Sequence, residues 1–377
     1  MSKVFLGDVA VERRETCKGS KDGYPIVGLE HLIPEEITLS AWNEDSENTF
    51  TKMFRKGDIL FGRRRAYLKK AAVAPFDGIC SGDITVIQAK PDRILPELLP
   101  FIVQNDALFD FAIGKSAGSL SPRVKWEHLK NYEFELPNMD KQQKLAELLW
   151  AMDATRKSYQ RLIAATDELV KSQFMEQFGS YIGDETRSAT VEQVCAVFAD
   201  GDWIESKDQA DEGIRLIQTG NVGNGVYLDK GERARYIDEE TFARLNCTEV
   251  LPNDILISRL PDPVGRACII PDGLGKSITA VDCSIVRLKS YILPEFFVAY
   301  TMTTLYAAEI ASSVTGSTRK RISRKNLGQV IIPTPEIDQQ EQFAAFVRQS
   351  DKSKFELEQA LAELTATYKR ILTENLG

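Results

Sequence analysis

Arginine and lysine side chains gather in two short loops of this 377-residue chain. The loop at 115–125 reads Lys-Ser-Ala-Gly-Ser-Leu-Ser-Pro-Arg-Val-Lys, and the loop at 315–325 reads Thr-Gly-Ser-Thr-Arg-Lys-Arg-Ile-Ser-Arg-Lys. Glycine and serine allow a backbone to approach phosphate groups closely. Arginine and lysine neutralise phosphates, and arginine can donate two hydrogen bonds to guanine O6 and N7. Both loops are therefore candidate DNA contacts.

Further basic residues precede each loop along the chain. Three consecutive arginines occupy 63–65, and Arg259 stands at the matching place in the second half. The predicted DNA-binding set is Arg63, Arg64, Arg65, Lys115, Gly118, Ser119, Arg123, Lys125, Arg259, Gly316, Ser317, Arg319, Lys320, Arg321 and Arg324. The alternative for any one loop is a solubilising surface that binds nothing. Two such loops at equivalent places favour binding.

Catalytic chemistry finds little support in the sequence. His31 and His128 are the only histidines, so we expect neither a histidine-based catalytic triad nor a multi-histidine metal site. The six cysteines are scattered without a Cys-x-x-Cys pair, which argues against zinc ribbons and redox motifs and suits a reducing cytoplasm. Gly275-Lys276-Ser277 resembles the end of a phosphate-binding loop, but Ile270 replaces the first glycine that such a loop requires. We predict a non-enzyme without catalytic or metal-binding residues.

The net charge of −8 argues against a protein coated in basic charge for wrapping nucleic acid, although it leaves room for local basic loops. No stretch approaches the roughly 18 apolar residues of a membrane span. The first 14 residues lack the apolar core of a signal peptide. These features predict a cytoplasmic protein with no membrane partner.

The segments that must position the two loops are duplicated. A shift of 198 residues aligns 118–179 with 316–377 without a gap, and 13 of these 62 pairs are identical. The shift places Gly118-Ser119 on Gly316-Ser317 and Arg123 on Arg321. A shift of 196 aligns 57–60 with 253–256. An ungapped run of this length indicates an internal repeat.

Each copy begins with a mixed domain, predicted at 1–138 and 180–335. Short β-rich runs alternate with Gly, Pro and Asp, and helical stretches are predicted at 97–111 and 295–312. This pattern indicates an α+β fold.

Each copy ends in a long helix, predicted at 139–179 and 336–377. Residues 142–178 contain neither glycine nor proline, and apolar residues recur in steps of three and four, as in a heptad. About 35 residues make a rod roughly 50 Å long. The predicted inter-helix packing residues are Leu145, Leu148, Met152, Tyr159, Leu162, Leu169, Phe343, Val347, Leu357, Leu361, Leu364 and Tyr368.

Two arrangements of these helices are open. Each helix could lie on its own domain, but a seam this narrow suits a partner helix better than a sheet. We favour an antiparallel coiled coil that holds the two domains apart with pseudo-two-fold symmetry. Each domain would then recognise its own short DNA sequence. Half-sites one helical turn apart have centres separated by about 34–36 Å, a distance that such a rod can set.

The chain resembles the specificity subunits of type I restriction–modification systems along its whole length. The resemblance rests on two variable halves, on the Gly-Ser-x-x-x-Arg-[Val/Ile] loops at 118–124 and 316–322, and on the Pro-led helix entries at 137–143 and 335–340. It implies two target-recognition domains separated by two antiparallel helices. It also implies DNA-side positions for Gly118, Ser119, Arg123, Gly316, Ser317 and Arg321. Pro122 departs from the second copy, which has Lys320 there, so the first loop is stiffer and less basic.

The resemblance further implies that the helices bind other subunits. These would be two adenine methyltransferase (modification) subunits and often two restriction subunits with translocase and nuclease activity, assembled on double-stranded DNA. S-adenosylmethionine would bind the methyltransferase, so this chain itself would need no cofactor. The alternatives are a duplicated coiled-coil scaffold that binds only protein and, more weakly supported, a degenerate enzyme that uses carboxylates.

Overall fold

The computed structural model describes residues 2–44, 48–316 and 320–376. The chain forms two compact units. The first runs to Arg161 and includes the chain from Glu358 onward, and the second spans Leu162–Leu357. Each of the two long helices therefore contributes one half to each unit.

Among the residues that the structure describes, the first unit combines three small sheets with four short helices and parts of both long helices. The strands of the four-stranded sheet are all antiparallel and have the order β2-β8-β5-β6. The three-stranded sheet has the order β3-β7-β4, and the third sheet is the antiparallel pair of β1 and β9. The elements are β1 (Ser2–Phe5), α1 (Leu6–Val9), β2 (Ala10–Glu12), β3 (Ile26–Val27), β4 (Lys52–Phe54), β5 (Ile59–Gly62), β6 (Ala71–Val73), β7 (Gly78–Cys80), β8 (Ile84–Ala89), α2 (Leu99–Val103), α3 (Asp106–Gly114), α4 (Trp126–Leu129), β9 (Glu133–Leu136) and the first part of α5 (Met139–Phe178).

The second unit contains sheets of the same three sizes among its described residues, although its three-stranded sheet has a different central strand. Its four-stranded sheet has the order β11-β17-β14-β15, its three-stranded sheet has the order β13-β12-β16, and β10 pairs with β18. The elements are the last part of α5, β10 (Ser188–Thr190), α6 (Val191–Val194), β11 (Cys195–Asp200), β12 (Ile214–Ile217), β13 (Arg235–Ile237), α7 (Glu239–Leu245), β14 (Ile255–Ser258), β15 (Ala267–Ile269), β16 (Ser277–Thr279), β17 (Cys283–Leu288), α8 (Pro294–Thr301), α9 (Thr304–Ser313), α10 (Arg324–Gly328), β18 (Ile331–Pro333) and the first part of α11 (Ile337–Leu376). The expected mixed α/β fold is confirmed.

Each helical stretch predicted after the sheet is in fact two helices. Asn105 separates α2 from α3, and its side chain accepts a hydrogen bond from the Ala107 backbone N–H at 3.1 Å. Thr303 separates α8 from α9 and accepts from the Tyr306 N–H at 3.3 Å. Asn and Thr are strong N-caps, which explains why a new helix begins at each place.

A buried glutamine fixes the start of each long helix in the same way. The Gln142 amide oxygen accepts from the Leu95 N–H at 2.9 Å, and its amide nitrogen donates to the Pro137 carbonyl at 2.8 Å. Gln340 accepts from the Leu293 N–H and donates to the Pro335 carbonyl at the same distances. These bonds tie the helix to the loop before α2 or α8, which gives the repeated Pro-x4-Gln pattern a physical role.

The two long helices run antiparallel inside each unit. In the first unit, Leu145 and Leu149 near the start of α5 share a core with Leu372 and Leu376 at the end of α11. Farther along α5, the Arg156 guanidinium lies 6.0 Å from the Tyr368 ring centre. The partner residue number on α11 therefore falls as the number on α5 rises.

The second unit shows the same direction. The Lys354 ammonium pairs with Asp167 at 2.8 Å, and the Phe174 and Phe343 rings lie 5.5 Å apart. Phe174 and Phe178 of α5 belong to the same buried cluster as Phe343 and Val347 of α11.

The predicted packing face of α5 needs a correction. Leu148, Leu162 and Leu169 are exposed by 46%, 51% and 52%, whereas their neighbours Leu149 and Val170 are 0% and 5% exposed. Leu145 and Met152 are buried as expected, and Tyr159 is half-buried. This helix carries apolar residues on two neighbouring faces, and each face can supply one of the two core positions of a heptad. The sequence pattern alone therefore does not show which face packs against α11. On α11, Phe343 and Val347 are buried, and the remaining predicted positions, Leu357, Leu361, Leu364 and Tyr368, are half-buried.

Candidate nucleic-acid interface

The first basic loop is a narrow turn closed by its own backbone. The Ala117 N–H donates to the Arg123 carbonyl at 3.1 Å, and the Arg123 N–H donates back at 2.9 Å. Gly118 has a φ of +115°, a backbone conformation that residues other than glycine rarely adopt. The closure leaves Leu120 at the tip with 91% of its surface exposed.

The three arginines that follow β5 lie beside this loop. The Val124 N–H donates to the Arg63 carbonyl at 3.0 Å, and the Arg65 N–H donates to the Pro122 carbonyl at 2.8 Å. Two basic segments some 60 residues apart in sequence thus form one surface. The side chains of Arg63 and Arg65 make no hydrogen bond or ion pair with any residue that the structure describes.

An aspartate lies under the arginines of this surface. Asp83 accepts from Arg123 at 2.7 Å (Nε to Oδ1) and 3.3 Å (Nη2 to Oδ2). Arg64 Nη1 lies 3.5 Å from Asp83 Oδ2, and Arg64 Nη2 donates to the Ser121 hydroxyl at 3.0 Å. The hydrogen bond from Arg123 is the main reason that the pKa of Asp83 lies below its ordinary value. Asp83 is therefore ionised at neutral pH.

The second basic loop has the same backbone frame, meaning a turn closed by two backbone hydrogen bonds with a positive-φ glycine just inside it. Thr315 and Arg321 exchange two backbone hydrogen bonds of 2.9 Å, and Gly316 has a φ of +95°. The Ile322 N–H donates to the Arg259 carbonyl at 3.2 Å, as Val124 does to Arg63. Arg321 Nη2 pairs with Asp282 Oδ1 at 3.3 Å. Ser317 and Arg319 of the predicted set lie outside the described residues.

Arg259 differs from the other predicted contacts because its side chain is only 5% exposed. Its guanidinium donates to the Val281 carbonyl and pairs with Asp200 at 3.4 Å. Burial lowers the pKa of this arginine. Its burial argues against the predicted DNA contact, and we place Arg259 among the residues that support the loop.

The other predicted side chains remain at the surface to different degrees. Lys115, Lys125, Lys320 and Arg321 are exposed. Arg324 is partly engaged, because its Nη1 donates to the Phe198 carbonyl at 2.8 Å and its Nε lies 3.3 Å from Asp200.

The sequence patterns did not single out two further kinds of residue in these units. Asp83 and Asp282 were not singled out, although each immediately precedes the long strand, β8 or β17, of its sheet. Exposed aromatic side chains were missed as well. Tyr67 follows the arginine run and is 53% exposed, and Trp203 of the second unit is 71% exposed.

No cluster of three or more His, Cys, Asp or Glu side chains suitable for a metal ion occurs among residues 2–44, 48–316 and 320–376. Over the same ranges, no helix is both long enough and apolar enough to cross a membrane.

A comparison with protein families places the chain. The family model described as the type I restriction modification DNA specificity domain matches residues 2–165 and, a second time, residues 184–365. The chain belongs to this family. The double match also confirms the duplication inferred from the 198-residue shift. Proteins of this family are specificity subunits, which are not themselves catalytic.

Curated relatives carry the same description. The chain is 21% identical over 363 residues to a Methanocaldococcus jannaschii protein named as the MjaX type I restriction enzyme specificity subunit, covering 89% of this chain and 83% of that one. It is 26% identical over 162 residues to the EcoDI type I restriction enzyme specificity subunit of Escherichia coli, covering 39% and 35%.

Solved structures support the fold. A chain from a study of complex assembly and conformational transition in the type I restriction–modification system matches with a TM-score of 0.58 and 20% identity, covering 99% of this chain and 97% of that one. The S subunit of a type I system from M. genitalium matches with a TM-score of 0.56 and 12% identity, covering 100% and 96%. At these identities, the two structures bear on the fold alone.

Proposed function

We propose that this type I specificity subunit recognises a bipartite, asymmetric DNA site, with one half-site bound by each unit. The observation that carries the proposal is the repeated loop frame. Arg123 and Arg321 lie at equivalent places, each exposed on a turn closed by two backbone hydrogen bonds. The sequences of the two loops differ, with Leu120 and Pro122 in the first and Thr318 and Lys320 at the matching positions of the second. Equal frames with different side chains suit two different half-sites.

The predicted domains, 1–138 and 180–335, are the units of recognition in this proposal. Within them, the exposed basic residues of the two frames neutralise phosphates, and a subset contacts base edges. Phosphate contacts set the position of a protein on DNA, whereas base contacts provide sequence specificity. The net charge of −8 predicts that the chain alone binds DNA weakly and requires its partner subunits to enclose the duplex.

The long helices are proposed to set the length of the spacer between half-sites. Both α5 and α11 are continuous over 40 residues, which corresponds to roughly 60 Å each. An antiparallel pair of this length is a stiff element. The number of base pairs between the half-sites would then be fixed by the number of helical residues.

The exposed face of α5 is a proposed binding surface for the methyltransferase subunits. Leu148, Leu162 and Leu169 recur at multiples of seven residues and are about half exposed, and Phe355 of α11 is 58% exposed. Apolar side chains repeated along a helix indicate a partner more often than a free surface. Two methyltransferase subunits, which bind S-adenosylmethionine, and often two restriction subunits complete the proposed cytoplasmic complex.

Footprinting of the chain assembled with its methyltransferase subunits tests this function. The expected result is protection of two short DNA patches whose centres lie about one helical turn apart. Uniform protection, or no protection by an assembly that still contains both kinds of subunit, would contradict it. The latter outcome would favour a protein-binding scaffold.

A further inference from the structure

The two recognition frames share an acidic residue that a DNA-binding surface does not need for affinity. Asp83 pairs with Arg123, and Asp282 pairs with Arg321. The backbone carbonyl of each aspartate also accepts a hydrogen bond from a backbone N–H just after β5 or β14. The donor is Arg63 for Asp83, at 3.0 Å, and Arg259 for Asp282, at 2.9 Å. In both units this backbone bond, one residue beyond the paired strands, fixes the aspartate beneath the loop.

The exposure of these pairs is nearly equal in the two units. The arginine side chains are 44% and 45% exposed, and the aspartate side chains are 22% and 26% exposed. In both pairs the carboxylate lies toward the protein and the guanidinium toward solvent. The similarity is notable because the two halves have otherwise diverged at the loop tips.

The geometry of the first pair leaves part of the guanidinium free. A guanidinium has five N–H donors, and Arg123 uses Nε and Nη2 on the two oxygens of Asp83. Both Nη1 hydrogens and one Nη2 hydrogen remain. This free end presents two parallel donors, which is the arrangement that binds guanine O6 and N7.

We infer that Asp83 and Asp282 are positioning residues that hold Arg123 and Arg321 for base recognition, one in each half-site. The inference rests on the proposed DNA-recognition function. A held arginine loses less side-chain freedom on binding than a mobile one. The carboxylate also cancels one positive charge, which weakens attraction to phosphates at every other sequence. Both effects raise the ratio of specific to non-specific binding.

Asp83→Asn and Asp282→Asn test this role, because asparagine keeps the size and one acceptor oxygen but removes the charge. Asp92→Asn is the matched control. It makes the same charge change on a side chain that is 77% exposed and that pairs, among the described residues, with its neighbour Arg93 alone. The probe is a pool of duplexes with about 40 randomised base pairs, bound by the full chain together with its methyltransferase subunits. Sequencing of the bound fraction gives the base preference at each half-site.

We expect Asp83→Asn to reduce base discrimination about tenfold at one half-site and leave the other unchanged. Asp282→Asn should do the reverse, and Asp92→Asn should change neither. Binding to unselected DNA should stay equal or increase in both variants. Unchanged discrimination would overturn the inference, as would an equal loss at both half-sites, which would indicate a general structural defect.

A double-mutant comparison distinguishes action through the arginine from a direct effect. If Asp83 acts through Arg123, adding Asp83→Asn to Arg123→Ala causes no further loss of discrimination. Additive losses would overturn the inference. If the unaltered complex enriches no two-part motif, the proposed function itself fails, and the inference fails with it. A normal motif with unaffected variants overturns only the positioning role.

Discussion

Leu120 is the residue whose exposure most needs an explanation in the first unit. It lies at the tip of the turn next to Ser121, which accepts a hydrogen bond from Arg64, and 91% of its surface is exposed. Among basic side chains, an exposed leucine suits contact with a thymine methyl group or insertion at a base step. The turn itself is held by its backbone and does not require the leucine.

Replacing Leu120 with Ala should therefore weaken DNA binding without changing stability. We expect about a tenfold loss at the first half-site and a shift of the unfolding midpoint of less than about 2 °C. Leu228→Ala is the control, since Leu228 is an exposed leucine of the second unit. The measurements are duplex binding and thermal unfolding. Equal binding by both variants would show that the tip does not contact DNA.

The two exposed loop arginines give a paired prediction. Arg321→Ala should reduce binding to sites that carry one half-site, and Arg123→Ala should reduce binding to sites that carry the other. Loss of a bidentate contact to guanine costs about 1–3 kcal/mol. Duplexes in which one half-site is altered at a time measure these effects. If either variant weakened both half-sites equally, the units would not recognise DNA independently.

Residue-level features were partly accessible from sequence. Spacing located the loops and their arginines, because both copies retain Gly, Ser and Arg at fixed offsets. It did not distinguish Arg259, which is buried, from Arg63, which is half-buried, since the burial of Arg259 depends on contacts with Asp200 and Val281. Asp83 and Asp282 escaped notice because their offset of 199 departs by one from the main shift.

At the level of elements, the packing of α5 buries one of two neighbouring leucines and leaves the other exposed. Leu149 is completely buried among residues of the first unit, whereas Leu148 is 46% exposed. Truncating a buried leucine removes apolar contacts and leaves a cavity, which costs about 2–5 kcal/mol.

Leu149→Ala should thus lower the free energy of unfolding by about 3 kcal/mol, and Leu148→Ala should change it by less than about 0.5 kcal/mol. Chemical unfolding of the full chain measures both values. Leu148→Ala should instead weaken association with the methyltransferase subunits. Equal destabilisation by the two variants would contradict the register, and undiminished association would contradict the docking surface.

The sequence predicted that the long helices exist and how far they extend. It did not predict which face of α5 is buried or where the shorter helices are interrupted. The absence of Gly and Pro from 142–178 supported a helix predicted at 139–179, and the structure has it at Met139–Phe178. The packing flank depends on which leucines meet a partner, and that is a tertiary property. The breaks at Asn105 and Thr303 were missed because apolar residues continue on both sides of each cap.

For the molecule as a whole, the helices predict how the DNA spacer responds to a change in length. Removing one heptad from each of α5 and α11 preserves the packing pattern and shortens the pair by about 10 Å. The preferred spacer should shrink by about three base pairs, at a rise of about 3.4 Å per base pair. Selection from duplexes with variable spacers measures this. An unchanged spacer in an assembled complex would show that the helices do not set the distance.

The duplicated organisation was the most predictable feature of the chain. An ungapped repeat of 62 residues indicated two copies, and the two matches to the specificity-domain family confirm them. The early part of each copy was less predictable, because its strands are short and their sequences have diverged. The order of the three-stranded sheets, which use different strands at their centres (β7 and β12), depends on pairings between residues distant in sequence.

The central claim is that each unit recognises its own half of a divided site. Sequencing that detects methylated adenines, in DNA from cells that express this chain with its methyltransferase subunits, tests it most directly. The account predicts methylation at one motif with two different short halves separated by a spacer of fixed length and free sequence. A continuous motif, two identical halves, or methylation that persists when this chain is absent would contradict it.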